Sequence, residues 1–257
     1  MHDQATDFDR AQMRRALALA RGMLGLVWPN PAVGCLLVKE GAVVAEGVTQ
    51  PGGRPHAEAM ALRAAGAKAR GATAYISLEP CSHWGRTAPC SQALVEAGVA
   101  RAVIATGDPD PRVDGRGLKD LRAAGIAVTM DVCRAEAEAL NRGFFTRVRT
   151  GRPRVTALTG DLPSAASDAG QDGFLTVRPR PDGLALCCTT ARGRQGAWIA
   201  GLSRQTLAQG LTRLGDAGLT RVAVAADGPL AERLALYDLI DEIAEAPRGD
   251  TIEPLTA

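Results

Sequence analysis

Between Asp7 and Thr150, short apolar runs and amphipathic helical stretches take turns along the chain, and this alternation restricts the possible folds. Residues 8–24 (FDRAQMRRALALARGML) place Met13, Leu17, Ala20 and Leu24 at helical spacing, with Asp7 or Asp9 as a cap. Trp28-Pro-Asn-Pro31 breaks that helix. The apolar runs on either side of Glu40-Gly41 predict a hairpin. His56–Ala69, Ser91–Ala97, Leu118–Ala124 and 134–147 read as helices, and 72–78, 102–106 and 126–132 as strands. Strands separated by helices are joined by crossovers, which makes neighbours parallel and puts helices on the sheet faces. An α/β sandwich, mostly parallel after an initial hairpin, is therefore expected for residues 1–150.

The texture changes near Thr150-Gly-Arg-Pro153. Residues 160–183 are rich in Gly, Pro, Ser and Asp, and only FLTV among them reads as a strand. Regular pattern returns at Leu184–Thr189, at a helix over Ser203–Ala217, at a strand over Arg221–Ala225 and at a helix around Leu230–Leu239; the last ten residues look frayed. A length of 257 residues accommodates two modest domains, 1–150 and 151–257.

A net charge of +2 demands neither a nucleic acid nor a membrane surface as partner. The acidic N-terminus lacks the apolar stretch of a secretory signal, and no run of about 18 apolar residues is present, so a cytoplasmic location is expected. In that compartment the six cysteines read as metal ligands or packing residues rather than disulfides. Cys35 and Cys133 sit in apolar runs and are expected to be buried; Cys187 and Cys188 receive no role.

The chemistry gathers around two of the three histidines, His56 and His83, in PHAEAMAL (55–62) and LEPCSHWGRTAPC (78–90). Zinc takes about four N and S ligands, and a catalytic site leaves one position open. His56, Cys81 and Cys90 supply three ligands for one zinc ion per chain. Cys81 ends a strand and Cys90 opens a helix, where unpaired amides favour a thiolate. Glu58, two residues after His56, is the candidate proton carrier between water, ring nitrogen and leaving amine. His-x-Glu followed by Pro-Cys-x-x-Cys is the pattern of zinc deaminases acting on nucleobases. Here eight residues, SHWGRTAP, separate the cysteines instead of two. A His-x-Glu pair alone is usually chance, and so are two cysteines nine positions apart. Their joint order, with Glu-Pro before the first Cys, is what points to metal chemistry. On the residues alone, His83 reads equally as a solvated loop residue or a substrate contact, Arg86 as a surface residue or a functional one, Asp108 and Asp110 as turn formers or functional residues, and Trp28 and Trp84 as packing residues or base-stacking ones.

The set Pro29-Asn-Pro-Ala-Val-Gly34, His56-Ala-Glu58, Leu78-Glu-Pro-Cys-Ser-His83, Gly85-Arg-Thr87, Pro89-Cys90, Asp108-Pro-Asp-Pro111, Gly115-Arg-Gly117 and Asn141-Arg-Gly-Phe144 resembles the deaminase domain of the riboflavin-biosynthesis bifunctional deaminase/reductase (RibD) family. The resemblance covers residues 8–149. It implies a cytidine-deaminase-like α/β/α sandwich and hydrolytic deamination of 2,5-diamino-6-ribosylamino-4(3H)-pyrimidinone 5′-phosphate, a small pyrimidine ribonucleotide. It also implies that Asn30, Thr49, His83, Arg86, Asp108 and Asp110 line the substrate pocket, with Arg86 suited to a phosphate. Thr49 stands where the family often has His, Met60 and Asp110 where it has Asn, and Trp84 where it has His.

In that family the C-terminal part is an NADPH-dependent reductase of dihydrofolate-reductase-like fold. Gly151-Arg-Pro-Arg-Val-Thr156 resembles its opening strand, and Arg221-Val-Ala-Val-Ala-Ala-Asp-Gly228 a strand that ends in Val-Glu-Gly-Gly. Ala226 and Asp227 replace glycines that let backbone approach cofactor phosphates. Residues 151–257 are therefore expected to form a small degenerate reductase-like α/β region, without an NADPH site, kept for packing or for a homodimer. Three alternatives stay open: retained reductase activity, a zinc deaminase of another nucleobase, and a catalytically idle zinc-stabilised partner.

Overall fold

The computed structural model describes residues 5–84, 88–163 and 165–247. The chain forms two compact units, Met1–Thr150 and Gly151–Ala257.

The first unit is built on a five-stranded sheet of order β2-β1-β3-β4-β5, with β1 Gly34–Lys39, β2 Ala42–Val48, β3 Thr73–Ile76, β4 Arg101–Ile104 and β5 Ala127–Thr129. β1 runs antiparallel to β2 and β3, while β3, β4 and β5 are parallel. Successive strand residues point to opposite faces, and both faces are apolar. Cys35, Leu37, Ala74, Ile76, Ala102 and Ile104 pack on one side, whereas Leu36, Val38, Tyr75 and Val103 pack on the other. Helices α1 (Asp7–Arg21) and α5 (Arg134–Leu140) cover the second face; α2 (Ala57–Ala65), α3 (Cys90–Glu96), α4 (Arg116–Ala123) and α6 (Arg142–Thr150) contribute to the first.

The single closing helix expected over 134–147 is two helices. Asn141 stands between them, 2% exposed, accepting from the Ala32 amide at 3.0 Å and donating to the Ala32 carbonyl at 2.9 Å. That tether redirects the chain so that α6 flanks the pocket described below. Cys35 is buried, as its sequence context suggests, but Cys133 is only half-buried because it sits in a left-handed turn at the start of α5.

α1 is held by a buried polar network. Thr6 and Asp9 form a reciprocal capping box. Asp9, 1% exposed, also accepts from Tyr75 Oη at 2.8 Å and from Arg101 at 2.8 and 3.1 Å. Burial opposes the Asp9 charge, but the bonds from Arg101, Thr6 and Tyr75 outweigh it and bring the carboxyl down to about 2.

The second unit holds a six-stranded sheet of order β11-β6-β10-β7-β8-β9: β6 Arg154–Thr159, β7 Gly173–Arg180, β8 Gly183–Thr190, β9 Gly193–Ile199, β10 Arg221–Ala225 and β11 Glu242–Glu245. The sequence reading missed β9 and β11 and allotted β7 only FLTV. β9 carries Gly193, Gly196 and polar residues, so it lacks an apolar alternation. α7 (Arg204–Asp216) packs on β9 and β8, where a side chain at Gly210 would meet Ile199 and Leu186. α8 (Pro229–Leu236) follows β10. The buried Asp172 accepts from Thr220 N, Thr220 Oγ1 and Arg221 N at 2.6, 2.8 and 2.9 Å, which pins the start of β7 to that of β10.

Candidate metal and substrate site

The carboxyl ends of the parallel strands carry the site. β3 runs into Ser77-Leu78-Glu79-Pro80-Cys81, and β4 into Thr106-Gly107-Asp108. Glu79 ties these loops together. Its Oε2 accepts from the amides of Gly115 at 3.2 Å and Asp108 at 3.5 Å, so the acid sits at the N-terminus of α4. Burial raises the Glu79 pKa, opposed by those amides and by those of Leu118 and Gly117. Gly117 permits the contact, because a Cβ there would lie 2.1 Å from the Pro80 carbonyl oxygen.

His56 is the N-cap of α2, in extended backbone, and Glu58 lies in the first turn of that helix. Gly47 on β2 lets the helix start come this close; a Cβ there would meet the Ala57 carbonyl oxygen at 2.2 Å and the Ala61 nitrogen at 2.5 Å. Cys90 opens α3, and its amide donates to Cys81 Sγ at 3.3 Å.

His56 Nδ1 lies 3.6 Å from Cys81 Sγ and 3.5 Å from Cys90 Sγ, and the three donor atoms fall within 4.8 Å of one another. Zn–N bonds of about 2.0–2.1 Å and Zn–S bonds of about 2.3 Å at a tetrahedral angle place N and S about 3.6 Å apart. The donor set therefore fits a tetrahedral ion. With protons instead of an ion, the Cys90 thiol donates to Cys81 and, helped by His56, lowers it to about 4. Cys90 itself is raised, by that bond and by burial. The Cys81 thiolate also raises His56, and burial raises Glu58. A divalent cation would displace the protons these groups share.

These residues open on a cavity of about 320 Å³. His56, Glu58 and Cys81 line it, with Asn30, Thr49, His83, Asp108 and Asp110 from the sequence expectation. Arg86 falls outside the described residues. Asn30 Nδ2 donates to the Gly53 carbonyl at 2.7 Å and lies 3.3 Å from His56 Nε2. Thr49, 2% exposed, spends its hydroxyl on the Val33 amide at 3.1 Å. The Nδ1 of His83 is buried with no hydrogen-bond partner among the described residues. Burial raises the Asp108 carboxyl to about 7, with the charges of Asp110 and Glu79 adding to it. Asp110 is lowered by the Arg112 guanidinium. Trp28 is buried, and Trp84 is 71% exposed. Sequence reasoning did not single out Arg54, Arg112 and Arg147, which share the cavity wall. Only an acid and a base two residues apart, Asp110 and Arg112, hinted at one of them.

Residues 6–106 match the family model of the cytidine and deoxycytidylate deaminase zinc-binding region. A diaminohydroxyphosphoribosylamino-pyrimidine deaminase of Buchnera aphidicola subsp. Schizaphis graminum is 44% identical over 145 residues, 56% of this chain and 99% of that protein. The chain belongs to the RibD deaminase family. RibD proteins of Escherichia coli (strain K12) and Aquifex aeolicus (strain VF5) are 54% and 49% identical over 152 and 150 residues, 59% and 58% of this chain. Those matches span 41% and 42% of the RibD relatives' own length. Likeness to solved RibD structures reaches further. Acinetobacter baumannii RibD, 28% identical, covers 95% of this chain and 88% of its own with a TM-score of 0.69. A Thermotoga maritima protein titled diaminohydroxyphosphoribosylaminopyrimidine deaminase/5-amino-6-(5-phosphoribosylamino)uracil reductase, 27% identical, covers 92% and 85% with a TM-score of 0.72. The chain thus has the mixed α/β architecture of RibD, with a cytidine-deaminase-like fold in its first unit. No described helix is long and apolar enough to cross a membrane.

Proposed function

We propose that the first unit is a zinc-dependent deaminase that converts 2,5-diamino-6-ribosylamino-4(3H)-pyrimidinone 5′-phosphate to the corresponding uracil nucleotide and ammonia. The observation that carries this reading is the grouping of His56, Cys81 and Cys90 beside the buried carboxyl of Glu58 at one cavity. His56 Nδ1, Cys81 Sγ and Cys90 Sγ hold the ion. When bound, zinc supplies a Lewis acid that brings the pKa of water towards 7. Glu58 accepts a proton from the attacking water and delivers it to the ring nitrogen next to the amino-bearing carbon. It then carries the second proton to the departing amine, so the C–N bond breaks, a carbonyl forms and ammonia leaves. Burial raises the Glu58 carboxyl, which makes it a better acceptor for the proton of the attacking water. Four protein ligands and no acid would serve a purely structural zinc; three with a carboxyl beside them leave room for substrate.

Asn30, Thr49, His83, Asp108 and Asp110 are assigned to substrate contacts, and Arg86 to a share of the phosphate. The second unit is read as lacking reductase activity. Its β10-to-α8 turn carries Ala226 and the exposed Asp227, a side chain and a charge unfavourable to a cofactor phosphate. Metal analysis combined with ammonia release from the diaminopyrimidine phosphate tests the deaminase reading. One zinc per chain and ammonia release support it; equal or better turnover of cytidine or deoxycytidylate would move the assignment to another base. NADPH oxidation with the ribosylaminouracil phosphate tests the second unit, and clear turnover would overturn that part.

A further inference from the structure

Four carboxyl groups line the cavity, from Glu58, Glu79, Asp108 and Asp110. Burial disfavours the charged form of Glu58, Glu79 and Asp108, so Asp110 is the carboxylate that an anionic substrate meets, and its charge must be compensated. Asp110 has the strongest compensation. Its side chain is 12% exposed and is forked by the Arg112 guanidinium, Nε to Oδ1 at 2.9 Å and Nη2 to Oδ2 at 2.5 Å. The Arg112 amide also donates to Asp110 Oδ1 at 2.9 Å, and the Asp110 amide to Asp108 Oδ1 at 2.9 Å. These bonds fix the turn and hold the guanidinium against Asp110 at the cavity. The fork uses one edge of the group. Nη1 takes no part in it, and the Arg112 side chain is 69% exposed while still lining the cavity.

We propose that Arg112 is a specificity-determining residue that bridges Asp110 and the phosphate of the substrate: its Nε–Nη2 edge neutralises Asp110, and its Nη1 side binds the anion. A guanidinium suits both tasks at once, since its five N–H donors lie in one plane and point in different directions. Asp110 in turn holds the cation in place, so the phosphate meets a pre-oriented donor rather than a mobile surface arginine. The proposal deepens the deaminase reading and rests on it for the identity of the substrate, but not for the binding of a sugar phosphate.

The test is calorimetric titration of the zinc-loaded full chain with ribose 5-phosphate, and with ribose as control. Wild type is expected to bind the phosphate and not the free sugar. Arg112→Ala is expected to weaken ribose 5-phosphate about tenfold or more, the effect of losing one charge-assisted hydrogen bond. In the same variant, KM for the diaminopyrimidine phosphate rises by a similar factor and kcat changes far less. Asp110→Asn added to Arg112→Ala recovers part of the binding, because the uncompensated carboxylate is gone. Three results would each overturn the proposal: no ribose 5-phosphate binding by wild type, wild-type binding by Arg112→Ala, or a double variant no tighter than Arg112→Ala. Absence of ammonia release by wild type would sink the deaminase reading instead and leave the ribose 5-phosphate result standing.

Discussion

His56 stands just outside helix α2 as its N-cap, while Glu58 sits in the helix's first turn, and both side chains line one cavity. Two residues apart within a helix would point in different directions. The extended backbone at His56 removes that conflict and sets an imidazole beside a carboxyl. Gly47 behind this turn is what admits it.

Gly47→Ala is accordingly expected to damage the site from a distance. The added methyl would lie within 2.5 Å of backbone atoms of Ala57 and Ala61, so α2 must shift. Overpacking of this kind costs about 1–3 kcal/mol. Thermal unfolding should show a lower midpoint, and ammonia release should drop even at temperatures where the protein is folded.

Cys81→Ser and Cys90→Ser are each expected to leave far less zinc bound after gel filtration. A hydroxyl is a poorer ligand than a thiolate. In the wild type, zinc should be retained at neutral pH and released as acid protonates the ligands, with protons taken up in step. Metal content against pH, by atomic absorption, checks this; unchanged zinc in either variant would contradict the ligand assignment.

The sheet, its hairpin start and the residues grouped as His56, Cys81 and Cys90 were legible in the sequence because each has a local signal. Unbroken apolar runs mark β1 and β3, and His-x-Glu and Pro-Cys mark the three donor residues. What was not legible depends on tertiary partners. The break at Asn141 exists because its amide reaches Ala32, 109 positions away. β9 and β11 form because neighbouring strands supply hydrogen bonds, although their own residues alternate poorly. The Arg112 fork needs the turn that follows Asp108, which nothing in composition announces.

Asp108 carries a pH signature. Burial keeps its carboxyl protonated up to about pH 7, above the 3.8 of an exposed aspartate. The folded state then holds a proton that the unfolded chain has lost. The neutral form's full contribution is present below pH 3.8, and it fades as pH rises through about 7. Asp108→Asn removes this dependence. The variant should gain stability relative to wild type between pH 5 and pH 8, by on the order of 2–4 kcal/mol, read from denaturant unfolding of the zinc-loaded proteins. A constant difference across that range would contradict it.

Asp9 behaves in the opposite sense. Its carboxyl is depressed to about 2, so its stabilisation is present above the ordinary 3.8 and is lost as pH falls from there through about 2. Asp9→Ala takes the carboxylate from the Arg101 guanidinium and removes one half of the α1 capping box. A loss of about 3–5 kcal/mol is expected, the cost of breaking a buried pair from one side. Tyr75→Phe should cost about 1 kcal/mol. Urea unfolding at pH 7 measures both.

The central claim is that Glu58 moves protons at a zinc ion held by His56, Cys81 and Cys90. Zinc content and ammonia release from the diaminopyrimidine phosphate, measured on one preparation of Glu58→Ala, test it most directly. One zinc per chain with ammonia release down by about 10²–10⁴-fold is the predicted outcome; a fully active Glu58→Ala enzyme would contradict it.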